Sequence, residues 1–180
     1  MSSTVTTAAV LVLLATGVVG AQTTNHPANL LPEGGTPLPL VGQAERVHLL
    51  GTRRLYGVAV YAASPIGDSR LASPDVAKAI RVEITYENDL RRQVTIDWRR
   101  ELIPPLDGRA IVQLRGTFAA LQQGDVVLIE YTPSRGTSIR VNRGVAVSGI
   151  DHDLMLAFLD HWLGQRPVSE EIKRRLLSGT

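Results

Sequence analysis

The chain has 180 residues, 44% of them hydrophobic and 20% charged, with a formal net charge of +2. That length suits one domain able to bury roughly two-thirds of its unfolded surface, and the composition excludes disorder. The absence of cysteine excludes disulfides, zinc–thiolate sites, a cysteine nucleophile and a lipid anchor on cysteine.

Ala8 to Gly20 reads AAVLVLLATGVVG, a run shorter than the roughly 20 apolar residues of a spanning helix. Val19-Gly20-Ala21 then supplies a small-residue cleavage pattern, with Gln22 as the first mature residue. Residues 1–21 are therefore expected to be a signal peptide, although residues 1–7 contain no Lys or Arg. Export to the periplasm or the medium follows, with no stable membrane span after cleavage. Pro, Gly, Asn and Thr dominate Thr23 to Thr36, which makes 22–36 a flexible lead-in and leaves 37–180 as the folded domain.

Leu38 to Gly42 is a short extended piece, placed at an edge by its prolines. Arg46 to Leu50 and Arg54 to Ala62 read as the two strands of a hairpin with Gly51-Thr52-Arg53 as its turn, and Arg81 to Glu87 alternates as a further strand. The period then changes. Leu90, Val94, Trp98 and Leu102 predict an amphipathic helix over 88–102, ended by Pro104-Pro105. Ile111, Leu114, Phe118 and Leu121 predict a second. Asp125 to Thr132, Thr137 to Asn142 and Val145 to Ile150 form a meander around two turns. Two helices close the chain: Asp151 to Leu163, stopped by Gly164, and a short one capped by Ser169. Strands, helices, strands and helices in that order predict an α+β fold, an antiparallel β-sheet covered on one face by a layer of helices.

No cofactor or metal is expected. The phosphate-binding, dinucleotide-binding, HExxH and GxSxG motifs are all missing. His152 and His161 lie nine apart on one helix, so they point to different faces, and both read as ordinary helical histidines. His26 falls in the lead-in and is expected to be exposed. The arginine pairs 53-54, 91-92, 99-100 and 174-175 read as solvated faces. Aromatics are only 4% and no basic stripe is interleaved with them, so nucleic acid is not an expected partner. Trp98 and Trp162 lie on apolar stripes and read as core.

One pair carries a sharper idea. If a three-residue loop joins the hairpin, Arg46 and Tyr56 project from the same face. A guanidinium and a phenol together bind a carboxylate or an enolate through charge-assisted hydrogen bonds. A two-residue turn places them on opposite faces, and from spacing alone two unrelated residues is the simpler reading.

The C-terminal half, GDVVLIEYTPSRGTSIRVNRG followed by IDHDLMLAFLDHWLGQRPVSEEIKRRLLSG, closely resembles the bacterial chalcone-isomerase-like proteins. Their pattern is a GD-strand-YTP-x-x-G turn, an N-x-G hairpin, a helix ending WLG-x-x-P and a terminal LK-x-x-LL-x-G helix; here Ile172-Lys173 and Leu176-Leu177 fill the last part. LPLVGQAER and RRLYGVAVYAA resemble the family's first strands, so the resemblance runs from about Leu38 to Gly179. It implies an open-faced sandwich with a cleft between sheet and helices, a fold shared by plant flavonoid isomerases and fatty-acid-binding relatives. Gly42 to Arg46 looks like the family's Gly-x-Gly-x-Arg segment with Ala44 for the second glycine, which makes Arg46 the ligand-facing arginine. Tyr56 stands where the plant enzymes have a threonine, and their threonine near the last helix falls near Ile172. Their catalytic Tyr and Asn have no counterpart after Glu87. These departures argue against chalcone isomerase activity and leave catalytic residues unassigned. The Arg46–Tyr56 pair instead resembles the carboxylate clamp of the fatty-acid-binding relatives. A non-catalytic binder of a small amphipathic carboxylate is the leading expectation. An intramolecular lyase acting on a chalcone-like phenolic substrate and an envelope scaffold without a ligand are the alternatives. The oligomeric state is left open.

Overall fold

β-Branched and aromatic residues dominate Arg53–Ala62, Lys78–Ile84 and Val126–Thr132, and these stretches form the centre of an antiparallel sheet. The computed structural model describes residues 24–33, 35–48, 53–64, 69–85 and 108–179. Within them the sheet has seven strands in chain order: Asn29–Leu30 (β1), Leu38–His48 (β2), Arg53–Ala62 (β3), Lys78–Ile84 (β4), Val126–Thr132 (β5), Gly136–Val141 (β6) and Gly144–Ile150 (β7). Each strand pairs antiparallel with the next. Helices Gly108–Ala119 (α1), His152–Leu163 (α2) and Glu170–Leu177 (α3) cover the inner face. The result is the expected α+β open-faced sandwich. The expected signal segment, the helix over 88–102 and the turn residues Gly51-Thr52 lie outside the described residues.

Strand alternation decides what faces the helices. Tyr56, Val58, Val60 and Ala62 of β3 stand beside Ile84, Val82 and Ile80 of β4, and then Val127, Ile129 and Tyr131 of β5. The helix stripes meet them: Leu114 and Phe118 from α1, Leu154, Phe158 and Trp162 from α2, and Ile172 and Leu176 from α3. Ser169 caps α3, its hydroxyl accepting from the Ile172 amide at 3.4 Å. Gly164 ends α2 in extended backbone (φ −65°), so handedness does not require glycine there. Space does, because a Cβ would overlap the Asp160 side chain. Lys173 ties the two helices together by donating to the Gly164 carbonyl at 2.7 Å.

Two expectations need correction. The pieces 38–42 and 46–50 merge in one long β2, whose start pairs with β1 and is not an edge. Of the lead-in expected to be flexible over 22–36, residues 24–33 contribute that β1 and lie on the outer face. Leu30, Leu38 and Leu40 pack there with Ala59, Tyr61 and Ala79. Thr24 donates to Glu45, and Glu33 pairs with Arg140 at 3.0 Å. Proline and asparagine had suggested a loop, but Leu30 has apolar surface to bury, and an extended segment buries it best against a sheet. Gly57 is small because Thr24 crosses over it; a Cβ would come within 2.6 Å of the Thr24 methyl carbon.

The far end of the inner face holds a buried lysine. Lys78 is fully enclosed, and its ammonium donates to the carbonyls of Leu71 and Ser73, each at 2.7 Å, and to Nε2 of His152 at 2.8 Å. It also sits 5.1 Å from the Tyr131 ring centre. Burial lowers its pKa to about 8. An ammonium has three protons, and three acceptors take them, which fastens the turn at Ser69–Ala72 to the sheet.

Candidate functional site

Arg46 and Tyr56 are direct partners across β2 and β3. Directly opposed residues share a face with Cβ atoms about 5 Å apart, and here it is the inner face. The route to this register differs from the expectation. The hairpin's last pair is His48↔Arg53, so four residues, 49–52, connect the strands. Continued from that tip, the register would set Arg46 against Leu55 and turn Tyr56 outward. A bulge intervenes: Val47 pairs with Arg54 and Arg46 with Tyr56, leaving Leu55 as the extra residue. The bulge restores the parity that a three-residue loop was expected to supply. Leu55 is itself fully buried in the main core.

Helix α2 completes the cluster. Tyr56 is fully buried, and its hydroxyl accepts a hydrogen bond from Trp162 Nε1 at 3.2 Å. Indole can only donate, so the phenol oxygen is the acceptor and its proton turns away from the indole. The two rings meet edge to face at 6.4 Å and 74°. Phe158 stacks beneath Trp162 at 6.3 Å, and His161 packs edge-on against it at 4.9 Å.

His161 is the residue that sequence reasoning missed. Read as an ordinary helical histidine, it is 4% exposed, and neither ring nitrogen has a hydrogen-bond partner. Burial and, after it, the neighbouring Arg46 charge together lower its pKa to about 4. Each unmet buried polar group costs about 1–3 kcal/mol. The sequence held a signal: His161 lies seven after Leu154 and three after Phe158, on the apolar stripe of α2. His152, at the other end of that helix, packs against Tyr131 at 4.6 Å and accepts from Lys78. The two histidines thus serve opposite ends of the inner face, and among the described residues no group of three His, Asp or Glu side chains converges on a metal position. Ile172, where the resemblance placed a threonine, is buried in the core.

Polar groups also collect on the outer face. His26 was expected to be exposed and is 8% exposed, because the segment carrying it is laid on the sheet. Its Nδ1 lies 2.8 Å from an Arg81 nitrogen; guanidinium can only donate, so Nδ1 accepts and the proton sits on Nε2. Burial, then Arg81, lowers its pKa to about 4, opposed by Glu83 and Glu45. Farther along, Glu130 is buried and paired with Arg140, which Glu33 also holds; burial raises the Glu130 pKa and Arg140 opposes the rise. Clefts of about 380 Å³ beside Thr24, His26 and Arg175, and of about 260 Å³ beside Glu33, Glu130 and Arg140, open among these groups. Neither is lined by Arg46 or Tyr56.

The two neutral histidines give a pH dependence with a definite sign. Their folded pKa values lie below the ordinary 6.5, so the unfolded chain binds protons first. Stability is complete above pH 6.5 and falls as pH drops toward 4, by at most about 1.4 kcal/mol per pH unit for each group. Urea midpoints at pH 7 and pH 5 check this, and His26→Gln should flatten the dependence. Equal midpoints for the wild type would refute it.

The fold and the site define the class: a curled antiparallel sheet with helices on one face and an arginine–tyrosine pair beneath them. A chalcone isomerase-like family model matches residues 25–178, so the chain belongs to that family. No curated protein matches the chain. Among solved structures, a fatty-acid-binding protein of Arabidopsis thaliana shares the fold at a TM-score of 0.57 and 18% identity, over 84% of this chain and 90% of that one. Among the described residues, no helix is long and apolar enough to cross a membrane.

Proposed function

We propose that the protein is a non-catalytic binder of a small amphipathic carboxylate, a fatty acid in the first instance, and that it is exported. The observation carrying the reading is the direct pairing of Arg46 with Tyr56 on the helix-covered face, with the phenol oriented by Trp162. Arg46 meets the carboxylate as a charged fork and Tyr56 donates the second hydrogen bond. Apolar side chains between sheet and helices take the tail, at about 0.8 kcal/mol per buried methylene. The plant fatty-acid-binding protein of the same fold supports the ligand class. Export rests on the apolar run at Ala8–Gly20 and the Val19-Gly20-Ala21 site.

Native mass spectrometry of the protein purified from its own cells tests both parts. The expected spectrum shows a mass beginning at Gln22 and an adduct of fatty-acid mass, lost on activation. A chain retaining Met1 overturns export. A ligand-free chain that also fails to bind added dodecanoate overturns the binder, as would turnover of a chalcone above background.

A further inference from the structure

We propose that His161 is a third contact to the ligand head group and makes the site select a carboxylate over the corresponding ester. The inference rests on the reading of Arg46 and Tyr56 as a head-group site.

The position is apolar by every structural measure except the residue that fills it. His161 lies on the buried stripe of α2 between residues of the main core, with its ring edge-on to Trp162. A leucine or phenylalanine would fill such a position with no unmet polar atom. The chain instead places an imidazole there, 4% exposed, with neither nitrogen satisfied by protein. Its place is held from two sides: its own carbonyl accepts from the Val168 amide at 2.9 Å, and the next residue, Trp162, is bonded to Tyr56.

The groups facing it explain the use of such a ring. The charge that acts on His161 is Arg46 from β2, the direct cross-strand partner of Tyr56, and Tyr56 in turn bonds to Trp162, the ring on which His161 packs. A neutral imidazole carries one N–H donor and one acceptor. An ionised carboxylate offers about four lone-pair sites on two oxygens. Arg46 and Tyr56 supply donors to some of them, and the His161 N–H supplies another. The carboxylate also offsets the Arg46 charge that disfavours imidazolium, so binding should draw a proton toward the ring. A methyl ester brings no charge and gains little from either effect.

Calorimetry with dodecanoate and methyl dodecanoate tests the idea on the wild type, Arg46→Ala, His161→Phe and His161→Gln. Phenylalanine keeps the ring against Trp162 and removes both nitrogens; glutamine keeps a donor. For His161→Phe the expected result is a dodecanoate Kd raised about tenfold or more, an unchanged ester Kd and a thermal midpoint no lower than wild type. Glutamine should recover most of the loss. If His161→Phe binds dodecanoate like wild type while Arg46→Ala does not, this inference falls and the head-group site stands. If the wild type binds no dodecanoate, the site falls and the inference with it. A measurement without substitution covers the case of a variant that does not fold: the assigned His161 imidazole resonances of the wild type should shift on saturation with dodecanoate, and static resonances overturn the role.

Discussion

Arg46→Ala is expected to weaken dodecanoate binding by about 2–4 kcal/mol, or roughly 30- to 1000-fold in Kd, and to leave methyl dodecanoate nearly unaffected. The guanidinium is half-buried and faces the helix layer, so a carboxylate paired with it is largely removed from water and little screened. Nothing across the strand substitutes for it, because Tyr56 supplies a hydrogen bond and no charge. Arg46→Lys should fall between the two, since an ammonium keeps the charge but cannot form the two-pronged contact. Isothermal calorimetry at fixed pH and salt gives the answer. Equal dodecanoate affinity in Arg46→Ala and wild type would exclude a clamp at this pair.

The second large effect is on stability. Trp162→Ala should lower the unfolding free energy by about 3–5 kcal/mol, out of the roughly 5–15 kcal/mol typical of a domain. Trp162 is 1% exposed and touches three other rings, those of Tyr56, Phe158 and His161. Its loss opens a cavity between α2 and β3 and leaves the Tyr56 oxygen without the indole donor. Trp162→Phe separates the two contributions, since it keeps most of the packing and removes only the N–H; about 1 kcal/mol is expected for it. Urea denaturation read by far-ultraviolet circular dichroism measures both. A loss under about 1 kcal/mol for the alanine variant would mean that the inner face closes over the gap and that Trp162 does not hold Tyr56 in place.

The sequence and the structure agree where local chemistry decides the outcome. The turns at Pro133–Gly136 and Asn142–Gly144 carry their own conformational signals, with Gly136 at φ 74° and Asn142 at φ 55°, and the three strands they join were legible from them. The helix after Ser169 was legible from its cap and charge order. Three features were not. β2 runs through Pro39 because β1 bonds to its neighbours there, and the Leu40 amide donates to the Ala28 carbonyl at 2.8 Å. That pairing is long-range and leaves no local mark. The order of residues 24–33 comes from the hydrogen bond between His26 and Arg81, the ion pair between Glu33 and Arg140, and apolar contacts on the outer face, all of them tertiary. At the site, the Arg46–Tyr56 pair could be named but its geometry hung on loop length, and the bulge that decides it is invisible in composition. His161 shows its burial only through its spacing from Leu154 and Phe158 on the apolar stripe; its nine-residue distance from His152 carries no such mark.

Leu55 has a consequence for how this hairpin can change. The tip, ending at His48↔Arg53, and the stretch holding Arg46 and Tyr56 run in different phases, and one residue absorbs the mismatch. The tip is thereby insulated: loops of other lengths can be grafted between His48 and Arg53 without rotating the phenol out of the interior. Deleting Leu55 would leave the same two residues opposed: counted on from His48↔Arg53, Arg46 would then meet Tyr56 in an unbroken ladder, and the strand would lose only its kink.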